Sequence, residues 1–187
     1  MALLDDAARK SLMLLARAAI TRAIGAEAPI VDRQTFVPCD VRAGAFVTLR
    51  INGMLRGCIG YPEADLPLVD VVERCSVSAA TSDPRFPSLT KEEWHGVDLE
   101  LSVLGPVEPV DDIQEIVIGR HGLIVEFGRR RGLLLPQVAV EWSWNAVEFA
   151  AQTCTKAGLP RDACRNGAKL FKFEAEVFGE LAGPEAY

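Results

Sequence analysis

Apolar residues recur along the chain at two spacings, and the changes between them predict a mixed fold. Leu4, Ala8, Leu12, Leu15 and Ala19 fall three or four positions apart, the stripe of an amphipathic helix that Gly25 stops. Phe46 to Ile51 then alternates as a strand should. Asn52-Gly53 is a strong two-residue hairpin signal, and Met54 to Ile59 reads as the returning strand. A two-residue turn sets Ile51 opposite Met54, Leu49 opposite Arg56 and Val47 opposite Cys58, so Arg56 and Cys58 are expected on the more apolar face. Leu68, Val71 or Val72, Cys75 and Ala79 return to helical spacing between Pro67 and Asp83-Pro84.

Thr90-Lys91-Glu92-Glu93 has the form of a capping box for a short helix through Trp94. In the strand that follows, Val97, Leu99, Leu101 and Val103 face one way and Asp98, Glu100 and Ser102 the other, as in an antiparallel sheet wet on one side. Asp111 to Ile118 is expected to be helical. Gly122 to Phe127 and Gly132 to Leu135 form a second hairpin around Gly128-Arg129-Arg130-Arg131. Asn145 starts a further helix, with Glu148 at the capping-box position and Trp144 and Phe149 as a hydrophobic staple; Val147, Ala150, Ala151 and Cys154 would be its buried stripe and Gly158 its stop. Phe171, Phe173, Ala175 and Val177 alternate with Lys172, Glu174 and Glu176 in a last half-buried strand. The one long irregular stretch is Ala28 to Gly44, with Pro29, Pro38 and Cys39. Hairpins mixed with helices, without a βαβ rhythm, predict an α+β fold with mainly antiparallel pairing.

Length and charge narrow the possibilities. With 187 residues the chain is expected to be a single domain, 1–187. Twenty basic residues against 26 acidic ones give a formal charge of −6, the wrong sign for a general nucleic-acid binder. Five widely spaced cysteines without a C-x-x-C pair suggest neither a disulfide framework nor a zinc knuckle, and no metal or cofactor is expected. Charges at Asp5, Asp6, Arg9, Lys10 and Arg17 interrupt the start of the chain as no signal peptide would tolerate, so the reading is a cytoplasmic protein with no membrane partner.

Candidate chemistry concentrates in Arg56-Gly57-Cys58-Ile59-Gly60, where two glycines bracket a cysteine in a strand, a pattern that marks a bulge or a close approach. Arg56 could lower the Cys58 thiol pKa, whereas burial would raise it, so both a reactive and a packed thiol stay open. His121 and Glu141 are the candidate bases for a Cys58 nucleophile, and a histidine satisfied by a turn backbone is the alternative for His121. Asp83-Pro84-Arg85-Phe86-Pro87 fixes Asp83 and Arg85 in a rigid turn, for a binding role or as an Asx-turn with an arginine tied to a carbonyl. Arg129 to Arg131 could touch phosphate at a hairpin tip.

Several stretches together resemble the AMMECR1 family. Leu55-Arg56-Gly57-Cys58-Ile59-Gly60 is similar to its hallmark hexapeptide, and Ala79-Ala80 through Asp83-Pro84-Arg85-Phe86-Pro87 to its second signature. His121-Gly122-Leu123, Gly132 to Ala139 with Glu141 and Trp144, and Lys156-Ala157-Gly158-Leu159 follow in the same order. Cys164 departs from the pattern, since bacterial members tend to carry tryptophan there. The resemblance implies two lobes, the larger a mainly antiparallel sheet flanked by helices, the smaller from the middle of the chain. It also implies an association with a Memo-like protein and a radical SAM enzyme, as in the AmmeMemoRadiSam system, and brings no settled activity. The leading expectation is an accessory protein whose groove around Leu55 to Gly60, Asp83 and Arg85 binds a small anionic ligand or a partner segment. The alternatives are an enzyme using Cys58 as nucleophile or metal ligand, and a nucleic-acid contact through Arg129 to Arg131.

Overall fold

Asp5 starts the first helix, α1 (Asp6–Ala23), by accepting the Ala8 N–H at 2.7 Å. All five residues of the expected stripe are buried, Leu4 from just before the cap, and Gly25 follows the helix at φ +73°. The computed structural model describes residues 4–27 and 41–180, so Cys39 and most of the irregular stretch from Ala28 lie outside the described residues. The chain divides into two units. Of the described residues, the first holds those up to Leu104 and from Glu176 to Glu180, and the second holds Gly105–Ala175.

In the first unit the hairpin forms as read, with β1 (Ala45–Ile51) and β2 (Met54–Tyr61) joined through Asn52 and Gly53, both at positive φ. Its register does not hold to the end. Ile51 pairs with Met54 and Arg50 with Leu55, but Leu49 pairs with Gly57 and Thr48 with Cys58, so Arg56 is an extra, unpaired residue. This bulge corrects the expected faces. Ile59 and Tyr61, not Cys58, lie across from Val47 and Ala45 and pack on the core, while Cys58 lies opposite Thr48.

Helix α2 (Leu68–Thr81) covers the inner face with Leu68, Val71, Val72, Cys75, Ala79 and Ala80. A Cβ on Gly57 would collide with the Ala79 carbonyl oxygen, and one on Gly60 with the Phe46 ring. The two glycines thus answer contacts within the chain. The capping box of α3 (Lys91–Trp94) is complete, with Thr90 and Glu93 bonded reciprocally. Strand β3 (Val97–Leu104) pairs with β1, giving the order β2-β1-β3 with β2 at the edge. Asp98 and Glu100 are half-buried as a wet face requires, but Ser102 is 1% exposed, contrary to the alternation.

The second unit contains β4 (Glu108–Pro109), β5 (His121–Phe127), β6 (Arg130–Leu134) and the first part of β7 (Lys169–Gly179). β5 pairs with β6 and β7, and β4 with β7; these pairings, like those of β1 with β2 and with β3, are antiparallel. The segment expected to be helical over Asp111 to Ile118 reduces to one 3-10 turn, Ile113–Glu115, which Asp112 and Glu115 cap reciprocally and which ends where Ile116 turns extended and buries its side chain. Helix α4 (Pro136–Glu141), begun by proline, has no counterpart in the periodic reading.

Helix α5 (Ala146–Lys156) is capped by Asn145, whose side chain accepts the Glu148 N–H, and the Trp144 and Phe149 rings lie 6.5 Å apart as a staple. Its buried stripe is Phe149, Ala150, Thr153 and Cys154; Val147, expected inside, is 52% exposed. The whole is an α+β fold, with β-strands and helices in both units.

Candidate functional site

The segment after α2 turns back along the open edge of β2. There the Asp83 carboxylate, 4% exposed, accepts the backbone N–H of Cys58 at 2.9 Å. Arg85 donates its Nη2 to the Cys58 carbonyl at 3.0 Å. Side chains of the Asp-Pro-Arg turn therefore take both backbone groups that an added strand would pair at Cys58, which blunts the edge.

The turn is internally tied. Asp83 also accepts the Arg85 backbone N–H at 3.1 Å, its Nε at 2.9 Å and its Nη2 at 2.7 Å, so the carboxylate takes four hydrogen bonds. A carboxylate has about four acceptor positions, and all are used here. The Asx-turn and the arginine tied to a carbonyl are both present. The Arg85 guanidinium holds the Asp83 carboxyl well below the usual carboxylate range, against its burial, and Asp83 in return raises the Arg85 pKa.

Arg56 is the bulged residue, and its guanidinium meets Glu93 through two bonds, Nε to Oε1 at 2.9 Å and Nη2 to Oε2 at 3.0 Å. Glu93 is the same residue that closes the α3 capping box, accepting the Thr90 N–H at 3.0 Å. Arg56, first, and Thr90 lower its pKa. The two guanidinium carbons lie 5.9 Å (Arg56) and 5.5 Å (Arg85) from the centre of the Phe86 ring. Thus both expected arginines come to one aromatic ring, each already holding a carboxylate.

Cys58 is half-buried, and Thr48 Oγ1 lies 3.4 Å from its sulfur. Its side chain also contributes, after Asp83, to raising the pKa of Arg85. Leu55 and Met54 continue β2 toward the hairpin tip and are 38% and 75% exposed.

The other candidates lie in the second unit. His121 is buried, and its Nδ1 accepts the Val117 N–H at 3.1 Å; burial lowers its pKa, with Lys172 and Arg120 adding to the effect. This is the histidine satisfied by a turn backbone. Glu141 is exposed at the last position of α4. Cys58 belongs to the first unit, so neither unit alone assembles cysteine, histidine and glutamate.

Of the arginine run, only Arg129 is in the turn. Arg130 donates to the Gly158 carbonyl at 2.8 Å and Arg131 pairs with Glu126 at 3.1 Å. Among the described residues no cluster of three or more His, Cys, Asp or Glu side chains could hold a metal ion. None of their helices is long and apolar enough to cross a membrane.

Sequence reasoning missed Glu93, Phe86 and Thr48. Glu93 carried a signal as the capping-box glutamate, but nothing in the spacing tied it to Arg56, 37 positions away. It also missed a cavity of about 640 Å³ in the second unit, between α5, the Pro109–Ile113 segment and the residues from Arg161 to Phe171.

A family model described as AMMECR1 matches residues 13–178. A protein of Methanothermobacter thermautotrophicus is 50% identical over 146 residues, 74% of this chain and 76% of that one. One of Methanopyrus kandleri is 42% identical over 179 residues, covering 90% and 86%. The crystal structure of a protein from Pyrococcus horikoshii, 38% identical, superposes with a TM-score of 0.84 over 95% of this chain and 93% of that one.

Proposed function

The chain belongs to the AMMECR1 family, and from that premise we propose that it is a recognition protein, which engages a partner polypeptide along the outer side of β2. One observation carries the reading: both arginines are already neutralised by Glu93 and Asp83 and stacked on Phe86, which leaves a rigid, nearly neutral face. A face of that kind favours a protein segment over a small anion, which needs an uncompensated cation. The exposed Met54 and Leu55 supply apolar contact beside it.

The partners to assay are those the family resemblance implies, a Memo-like protein and a radical SAM enzyme. Immobilised full-length chain is expected to retain one of them, with and without S-adenosylmethionine. The double change M54D/L55D is expected to lower capture at least about tenfold, since burying two charges costs well over the 1.4 kcal/mol of that factor. Capture of neither partner, or equal capture by the double variant with an unchanged melting curve, rejects the reading.

A second reading, a reaction at the Cys58 thiol, rests on Thr48 Oγ1, 3.4 Å from the sulfur, and on the Arg85 guanidinium bonded to the Cys58 carbonyl. It requires alkylation of Cys58 to abolish a measurable turnover, and an alkylated protein that still turns over excludes it.

A further inference from the structure

Cys164 lies on the wall of the second unit's cavity, half-buried, in the 3-10 segment Ala163–Asn166. Behind it the Cys154 thiol, wholly buried on α5, stands 3.3 Å from the Cys164 sulfur. A disulfide bond measures about 2.05 Å, so small side-chain shifts close the gap. We propose that Cys154 and Cys164 are a thiol–disulfide exchange pair, which takes a small organic disulfide admitted through this cavity.

The geometry assigns the two sulfurs different parts. Cys164 reaches the cavity, so its thiol gives its proton to water and the thiolate attacks one sulfur of the small disulfide. That bond breaks, and one small thiolate leaves and takes up a proton. Cys154, buried and absent from the cavity lining, then loses its own proton and attacks the Cys164 sulfur, expelling the second small thiol. The protein loses two hydrogens and the small disulfide gains two. Both new thiols leave by the route the reagent entered.

The surroundings set the rate and the consequence. Burial, with Cys154 alongside, pushes the Cys164 thiol up to about 12, so thiolate is scarce at neutral pH and the first step is slow. The apolar walls at Val110, Ala150 and Leu170 accept the body of a reagent, and the charged lining is balanced, with Arg161, Arg165 and Lys169 against Asp111, Glu148 and Asp162, which suits a zwitterionic reagent that carries both carboxylates and ammonium groups. Because α5 and the Ala163–Asn166 segment both line the cavity, the bond would fix two of its walls together.

The test uses the full chain with oxidised glutathione as probe, between pH 7 and 9, followed by intact mass and peptide mapping. The expected result is loss of two hydrogens with a Cys154–Cys164 cross-link, reversed by dithiothreitol and forming about tenfold faster per pH unit. Cys154→Ala is expected to leave a glutathione adduct on Cys164 that does not resolve, and Cys164→Ser to give no cross-link. Two results overturn the proposal: a stable adduct on Cys164 in the unaltered protein, or no Cys154–Cys164 bond after Cys58 is fully modified. The mapping of the unaltered protein and of Cys164→Ser decides the matter even if Cys154→Ala does not fold.

Discussion

Asp83 accepts the backbone N–H of Cys58 at 2.9 Å from 25 positions along the chain, and so a side chain stands where a neighbouring strand's backbone would. This relationship joins the two signature segments of the sequence through a main-chain group, independent of the cysteine's own chemistry.

Removing the carboxylate should therefore cost stability whatever happens to the thiol. Asp83→Ala leaves a protected N–H unpaired and strips Arg85 of its counter-charge, and is expected to destabilise the protein by about 3 kcal/mol in urea denaturation. Cys58→Ser, which keeps the N–H, is expected to cost under about 1 kcal/mol. Equal losses would mean that the thiol, not the N–H, is what Asp83 serves.

The same carboxylate predicts an acid sensitivity. Asp83 and Glu93 are held below their ordinary range when folded, by Arg85 and Arg56 respectively, whereas in the unfolded chain they titrate near about 3.9 and 4.3. The folded state thus binds fewer protons in acid. The stability from these groups is fully present above about pH 5 and drains as pH falls through the folded values. Between pH 5 and 3, Asp83→Asn is expected to show a shallower decline in unfolding free energy than the unaltered protein; an identical slope excludes the Arg85 contact as its source.

Gly57→Ala should be costly for a steric reason. The added methyl meets the Ala79 carbonyl, which belongs to a helix and cannot turn aside, so α2 must lift from β2 at about 2–3 kcal/mol. Gly53→Ala, at φ +76° with open space around it, is expected to cost only about 1 kcal/mol. Differential scanning calorimetry of both variants checks the order, and a smaller loss for Gly57→Ala rejects direct helix-to-strand packing.

Thiol labelling should separate the cysteines by place. Burial raises the Cys75 thiol to about 11, which leaves about a thousandth ionised at pH 8. Cys58 is half-buried on the other face of β2. Iodoacetamide on the native protein is expected to modify Cys58 well before Cys75 or Cys154, by peptide mapping. Labelling of Cys75 at the same rate would place Cys58 on the core side, where an unbulged hairpin puts it.

How far the sequence carried these results depends on the range of the interactions. Local devices were legible: Thr90 and Asn145 do cap helices, and Asn52-Gly53 does turn the hairpin, because each involves groups within four positions. Arg56, Cys58, Asp83 and Arg85 were singled out, and the first unit does bring them together. The bulge was not legible, since the pairing of Leu49 with Gly57 is coupled to how closely Ala79 approaches from α2. Nor was the turn of α5 that exposes Val147, because Phe149 and Thr153 compete for the same interior and win. Cys154 and Cys164 looked unrelated at a spacing of ten, and only the reversal at Gly158 and Pro160 brings the sulfurs together.

The bulge at Arg56 also fixes what the gene can lose. Deleting codon 56 makes Leu55 and Gly57 consecutive and leaves their partners, Arg50 and Leu49, as they are, so a descendant forfeits one arginine and keeps the thiol in place. A change that straightens the strand at constant length turns Cys58 to the opposite side and brings Gly57 out from under Ala79. Along this strand a one-residue gap is the milder alteration, and a register-restoring substitution the graver one.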